Sequence, residues 1–385
     1  MEVAVVDIGS SKIALVVGRL GVNNTIVVLA KAECEYSGFV DGAWLEPDKL
    51  GNTIAQTIQQ AKTKNSDIKI DKLTVGIPGE FCCTVVRDEQ QQLGRKRKII
   101  DKDILDLHNQ GAVNISKDVK IINIQPITYL LDNTTRTLNP EGLQASTIMA
   151  RLSYTICDNK HIHHMDSVLR AIGIVEVEYC SSILAESLFL FDESRRDKGL
   201  VLVDCGYLTT SVAIIKGDGL LSHYSFSVGG GHIAADLNMY LDVPFDIALQ
   251  LKQHIKLSLS VGQDDNYQVV VDNVPYRYNT LLVNAIATER INAIAKTIMD
   301  VLSTSESAQN FDIYMTGGGL SYLRGAKDII SRVVNKPVDI IAPVLQDFAK
   351  PSQSSVVGLL SIVLRAHDST ATQNVRKGLF AKFVK

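Results

Sequence analysis

Two short acidic turns carry the residue types that bind phosphate: Asp7-Ile8-Gly9-Ser10-Ser11-Lys12 near the start, and Asp204-Cys205-Gly206-Tyr207-Leu208-Thr209-Thr210 in the second half. A tight turn of this composition points backbone N–H groups and hydroxyls at one spot, which suits phosphate oxygens. An Asp at the end of the preceding strand can hold Mg2+ through water, because that ion gives up its hydration shell reluctantly. One Asp-x-Gly hairpin alone says little. Two copies facing each other across a cleft point to descent from a nucleotide-binding fold. Two glycine triplets add to them. Thr316-Gly317-Gly318-Gly319 follows the apolar strand Ile313–Met315 and precedes a helix over Gly325–Val334. Val228-Gly229-Gly230-Gly231-His232-Ile233 also lies between a strand and a helix, the latter carrying Asp236 and Leu237. Consecutive glycines let backbone approach a flat ligand closely. Neither triplet has the Rossmann spacing, and no Walker-A sequence occurs, so those two nucleotide folds are set aside.

The elements around these turns repeat. Val3–Val6 and Ile13–Val17 read as strands flanking the first turn, followed by a strand Ile26–Ala32, a helix over Pro47–Lys62 and a strand Leu73–Ile77. Leu200–Val203 and Ser211–Ile215 flank the second turn in the same manner. Such repetition predicts a duplicated fold of two similar lobes. Between about Gly79 and Thr155 the texture changes: a charged loop, Gly94–Lys98, a short helix, Asp101–Ala112, and two strands, Lys120–Leu131 and Ile148–Ile156. That is the pattern of a small α+β insertion. A helix His161–Ile172, a strand Val175–Tyr179 and a helix Ser182–Phe191 lead to a charged loop, Asp192–Lys198, expected at the boundary between the lobes.

The bulk properties limit the function. With 385 residues, 46% of them hydrophobic and 21% charged, the chain has material for more than one core. A net charge of −3 gives no global attraction to nucleic acid. The start, Met1–Val6, lacks a basic region before its apolar run and does not read as a signal peptide, and no apolar run is long enough to span a bilayer. Six scattered cysteines suit a reducing compartment. His161-x-His163-His164 reads as a solvated helix start rather than a metal site, and Cys205 as a buried small thiol. The end of the chain differs in kind. Val375, Leu379, Phe380, Phe383 and Val384 share half a helical wheel, with Lys377, Lys382 and Lys385 opposite and Arg376 out of place. This is the composition of a helix lying in a membrane interface.

These motifs resemble the FtsA family of bacterial cell-division proteins, within the actin/Hsp70 superfamily. The turn Asp7–Lys12 looks like its phosphate-1 loop and Asp204–Thr210 its phosphate-2 loop; Val228–Asp236 resembles its Val-Gly-Gly-x-x-Ile-x-x-Asp segment, and Thr316–Leu320 its adenosine motif. Ser37-Gly38-Phe39-Val40-Asp41-Gly42, and Ile124–Asp132 followed by Asn139–Leu143, are similar to segments particular to FtsA. The resemblance implies an α/β, duplicated actin-like (ribonuclease-H-like) two-lobe fold with an inserted small α+β subdomain of the 1C type. The implied division is 1–79, 160–195 and 346–366 for lobe 1 (1A); 80–159 for 1C; 196–242 and 309–345 for lobe 2 (2A); 243–308 for 2B; 367–373 for a linker; and 374–385 for a membrane-targeting helix.

It further implies ATP and Mg2+ between the lobes. The expected nucleotide contacts are Asp7, Gly9, Ser10, Ser11, Lys12, Asp204, Gly206, Thr209, Thr210, Gly229, Gly230, Lys252, Glu289, Gly317, Gly318 and Gly319, with Asp7 and Asp204 holding Mg2+ through water. Val375, Arg376, Lys377, Leu379, Phe380, Lys382, Phe383 and Lys385 are the expected membrane contacts. Implied partners are the C-terminal peptide of FtsZ on 2B, further copies of the chain in a filament or dimer, other division proteins through 1C, and an anionic membrane surface on the cytoplasmic side of the division site. Tyr207 and Leu208 replace glycines of the family pattern and should crowd the phosphates; Ser181-Ser182 opens a helix usually begun by an acidic or amide residue, and Glu186, one turn on, is not expected to substitute. Weak nucleotide binding with little or no hydrolysis follows. A pilus-assembly adaptor resembling PilM, or a small-molecule kinase of the same superfamily, are the alternative readings.

Overall fold

The computed structural model describes residues 1–113, 115–271 and 273–367. The first lobe starts with strands β1 (Glu2–Ile8), β2 (Lys12–Leu20) and β3 (Ile26–Glu35), a two-residue hairpin of β4 (Phe39–Val40) and β5 (Ala43–Trp44), helix α1 (Pro47–Lys64) and strand β6 (Lys72–Ile77). Pro47 is preorganised for the first helical turn of α1. Leu50, Ile54, Thr57, Ile58 and Ala61 then recur at helical spacing on its buried face, against the sheet.

An insertion follows, built from β7 (Cys82–Lys98), α2 (Asp101–Ala112), β8 (Val119–Leu131), β9 (Thr135–Thr137) and β10 (Gln144–Asp158), in the sheet order β7-β10-β8-β9. The stretch Gly94–Lys98, expected as a charged loop, is instead the end of the 17-residue strand β7. Its register with β10 carries Arg97 and Lys98 opposite Ala145 and Gln144, and Arg95, Lys96 and Lys98 are exposed. Arg97 anchors the next element, gripping Asp103 through two hydrogen bonds of 2.8 and 2.7 Å while Asp103 accepts from the Ile100 N–H at the start of α2.

The chain re-enters the first lobe with α3 (Asn159–Ala171), β11 (Glu176–Ser181), α4 (Ser182–Leu190) and α5 (Glu193–Lys198). Asp192–Lys198, expected as a loop, contains α5, because the Asp192 carboxylate accepts from the Arg195 N–H and caps a short helix. His161 is not solvated as expected. Its ring stacks on Phe81 at 4.2 Å and on Trp44 at 5.5 Å, and burial lowers its pKa to about 4.

The second lobe has β12 (Leu200–Cys205), β13 (Thr210–Lys216), β14 (Gly219–Phe226), α6 (Gly231–Leu241), α7 (Phe245–His254), a hairpin of β15 (Asn266–Val271) and β16 (Val274–Asn279), α8 (Thr280–Ser303), β17 (Asp312–Thr316), α9 (Ala326–Val334) and β18 (Val338–Ile340). Helix α10 (Ser354–His367) then returns to the first lobe.

The two main sheets show the repeat directly. One has the order β3-β2-β1-β6-β11 and the other β14-β13-β12-β17-β18. In each, three antiparallel strands are followed by two that run parallel to the central one. Asp7 pairs with Ala14 in the first sheet and Asp204 with Ser211 in the second, so each Asp stands one residue before the end of the central strand of its lobe. Helix α10 crosses α4 closely. A Cβ added to Gly358 would stand 2.8 Å from backbone atoms of Ala185 and Glu186. The insertion leans on the second lobe, where Ser153 Oγ donates to the Leu220 carbonyl and accepts from the Leu220 N–H.

Candidate nucleotide cleft between the lobes

The two acidic turns close on the same backbone hydrogen bond. Gly9 N–H donates to the Lys12 carbonyl at 2.9 Å, and Gly206 N–H to the Thr209 carbonyl at 2.8 Å. They face each other across a cavity of about 340 Å³ whose walls include Asp7, Gly9, Ser10, Ser11, Lys12, Asp204, Gly206, Thr209, Gly317 and Gly318. Ten of the residues singled out from sequence therefore converge on one space.

The others lie elsewhere. Thr210 is buried behind its turn and donates to the Val228 carbonyl. Gly229 and Gly230 press against the second turn and Gly319: a Cβ at Gly230 would sit 2.1 Å from the Gly319 carbonyl oxygen, and one at Gly319 would sit 2.1 Å from that of Gly206. Glycine is required at these positions for backbone-on-backbone packing. Lys252 stands over the Tyr207 ring, 6.0 Å from its centroid, and burial depresses its pKa. Glu289 belongs to a separate groove between α6 and α8, beside Arg290, which forms a two-pronged ion pair with Asp236.

The middle of the second turn is spoken for. The Leu208 N–H donates to Ser10 Oγ across the cleft at 3.0 Å, so a donor of the kind that would meet phosphate is held by the opposite lobe. The Tyr207 ring lies against Gly231 and borders the cavity. Ser182, at the head of α4, donates to Asp7 Oδ1 at 2.9 Å and so fixes that carboxylate. Gly76 leaves the room for this, since a Cβ there would meet Ser182 Oγ at 2.5 Å.

Ser37–Gly42 forms one rim. Gly38 lies directly on the first turn, where a Cβ would approach Ser10 Cα to 2.4 Å, and Phe39 reaches the cavity wall. The rim is tied to the second lobe through Glu80, whose Oε1 accepts from Gly42 N–H and Ser227 Oγ, each at 2.8 Å.

Glu186, not expected to take part, does border the cavity. It is 1% exposed and near enough to Asp7 and Asp204 for their charges to add to the rise that burial imposes on its pKa. A signal existed: position 186 is four residues after Ser182, on the same face of α4. Burial is the chief cause of raised carboxyl pKa values throughout the trio. Glu186 is pushed well up, Asp204 to about 7 with Asp7 contributing, and Asp7 is raised despite the opposing hydroxyls of Ser355 and Ser182. Among the described residues no group of three or more His, Cys, Asp or Glu is disposed to ligate a metal.

The duplicated sheets and the paired turns across an interlobe cavity define a protein of the actin-like class. Solved structures agree: the PilM–PilN type IV pilus biogenesis complex has a chain covered over 99% of its length and 94% of this one, with a TM-score of 0.63 and 16% identity. MreB5 of Spiroplasma citri, bound to AMPPNP, gives a TM-score of 0.56 at 11% identity, covering 94% of this chain and 95% of that one. Within the class, the profile of the family described as "Cell division protein FtsA" matches residues 201–358. FtsA of Neisseria meningitidis serogroup B is 24% identical, covering 93% of this chain and 89% of the relative; FtsA of Escherichia coli K12 is 22% identical, covering 94% and 90%. The chain is thus similar to FtsA cell division proteins over nearly its whole length.

Proposed function

We propose that this FtsA-like protein binds ATP with Mg2+ between its lobes, self-assembles, and tethers the division protein FtsZ to the inner face of the cell membrane. The observation that supports it most is the pair of Asp-x-Gly turns, identical in backbone closure, facing one cavity in a chain similar to FtsA over nearly its whole length. Lys12, Ser11 and Thr209 are the side chains proposed to meet the phosphates, with Asp7 and Asp204 on the water shell of the ion. The subdomain division given above, with 243–308 as the surface for the FtsZ peptide and 80–159 for self-association or other division proteins, is part of the proposal. Hydrolysis is proposed to be slow: Ser182 is engaged with Asp7, and Tyr207 borders the phosphate side.

The tail at 374–385, including all eight proposed membrane contacts, lies outside the described residues. Among the described residues no helix is long and apolar enough to cross a membrane, and the tail is the proposed anchor. Each basic residue near an anionic leaflet contributes on the order of 1 kcal/mol, which makes one copy a weak binder and assembly a source of avidity. Co-sedimentation with anionic liposomes tests this, comparing the full chain with one ending at Gln373, with and without ATP and Mg2+. Pelleting that needs the tail and increases with ATP is expected. A full chain that stays in the supernatant throughout contradicts the membrane reading. It would favour a PilM-like adaptor instead, a reading kept because of the likeness to the PilM–PilN structure.

A further inference from the structure

The charge inventory of the cavity is unusual for a place meant to receive polyphosphate. Asp7, Glu80, Glu186 and Asp204 all border it, and among the described residues Lys12 is the one Lys or Arg that does. Lys12 is itself engaged, with its Nζ 2.8 Å from Glu33. With those carboxyls ionised, a polyanion entering unaccompanied would meet net repulsion. A cation would meet the opposite.

A second observation points to the same ligand. Glu186 is 1% exposed and its Oε2 has no hydrogen-bond partner, while Oε2 of Glu80, on another wall of the same cavity, is likewise buried and unpartnered. Burying a carboxylate without a partner is costly, so such an atom marks the place of a positive group or ordered water. The three carboxylates come from three different elements: Asp7 from β1, Asp204 from β12, and Glu186 from α4. Asp7 is held by Ser182, one turn before Glu186 on α4, and Glu186 sits where Gly358 lets α10 press on that helix. Its position is therefore built by packing rather than left to a mobile side chain.

We propose that the cavity binds a hydrated divalent cation before and without nucleotide, held through its water shell by Asp7, Asp204 and Glu186, with Glu186 the residue that makes binding independent of nucleotide. The inference deepens the nucleotide reading above and rests on it, because the ion turns an acidic cavity into one that accepts phosphate. A cation that keeps its waters, as Mg2+ and Mn2+ do, can be held by carboxylates that do not touch it directly.

The experiment titrates nucleotide-free, EDTA-treated full-length protein with MnCl2 and follows free Mn2+ by electron paramagnetic resonance. One Mn2+ per chain is expected, displaced by excess Mg2+, and bound roughly tenfold or more weakly by Glu186→Gln. Asp204→Asn, read in parallel, is expected to weaken it similarly, so the outcome does not hang on one variant. Circular dichroism melts of each variant verify folding. Absence of saturable Mn2+ binding without nucleotide overturns the proposal, as does a folded Glu186→Gln protein that binds like the wild type. A fluorescent ATP analogue in the same samples separates the two ideas. Analogue binding without a prior Mn2+ site overturns this inference and leaves the nucleotide reading standing; a Mn2+ site in a protein that binds no analogue does the reverse.

Discussion

The two phosphate-type turns share a backbone and differ in almost everything attached to it. In the first lobe, Ser10, Ser11 and Lys12 are small or extended, and the Cβ that Gly9 lacks would meet only the Lys12 carbonyl, at 3.2 Å. In the second lobe, Tyr207 and Leu208 occupy the corresponding positions, and the turn is wedged between glycine backbones of residues 229–231 and 319. The hydrogen bond that closes the hairpin is insensitive to side chains, so duplication preserves it. The contacts a ligand would use depend on side chains and on free N–H groups, and there the second turn has diverged. Its Leu208 N–H serves Ser10 instead.

The comparison can be broken most severely by adding a methyl group. Gly230→Ala forces a Cβ against the Gly319 carbonyl oxygen, backbone on backbone, and a loss of about 3 kcal/mol is expected. Gly9→Ala, with its 3.2 Å contact, should lose about 1 kcal/mol or less. Urea midpoints compare them; equal losses would mean the two turns are packed alike. Next, the double variant Tyr207→Gly, Leu208→Gly makes the second turn resemble the family pattern, and the affinity for an ATP analogue is expected to rise about tenfold, or about 1.4 kcal/mol. Unchanged affinity would show that the side chains do not crowd the ligand.

Acidity separates the carboxylates at the two strand ends. The Asp204 carboxyl titrates at about 7 in the folded chain against an ordinary value of 3.8, so the folded state holds its proton more tightly than the unfolded one. Its effect on stability is absent below about pH 4, grows unfavourable as pH rises, and is complete above about pH 7. Metal-free protein should therefore lose stability between about pH 4 and pH 7, and Asp204→Asn should flatten that slope, as read by denaturant melts at several pH values. The smallest effect concerns the tie between lobes. Ser10→Ala removes the acceptor of the Leu208 N–H at a cost of about 1 kcal/mol, seen as faster hydrogen exchange at the Leu208 amide.

What is legible in the sequence is what repeats or alternates. The Asp-x-Gly turns and their flanking apolar strands announce two lobes, and ten of the sixteen expected nucleotide contacts meet in one cavity. Gly94–Lys98 and Asp192–Lys198 read as loops because charge dominates their composition, although pairing with β10 and the Asp192 cap decide their conformations. His161 reads as solvated because its partners, Trp44 and Phe81, are remote in sequence. Glu289 borders a separate groove and Lys252 stands over the Tyr207 ring at the cavity's edge, because their matches rest on position along the chain, while the approach of Gly230 to Gly319 is a tertiary fact. Glu186 escapes because its one sequence signal, a place four residues after Ser182 on the same helix face, gains meaning only once Asp7 and Asp204 are placed beside it.

The central claim is that the two turns still act together on one nucleotide. Equilibrium binding of a fluorescent ATP analogue in saturating Mg2+ tests it most directly, on the wild-type chain and on Lys12→Ala. Saturation at one analogue per chain is expected, with an affinity roughly tenfold weaker in the variant. No saturable binding at any Mg2+ concentration, or binding indifferent to Lys12, would contradict it.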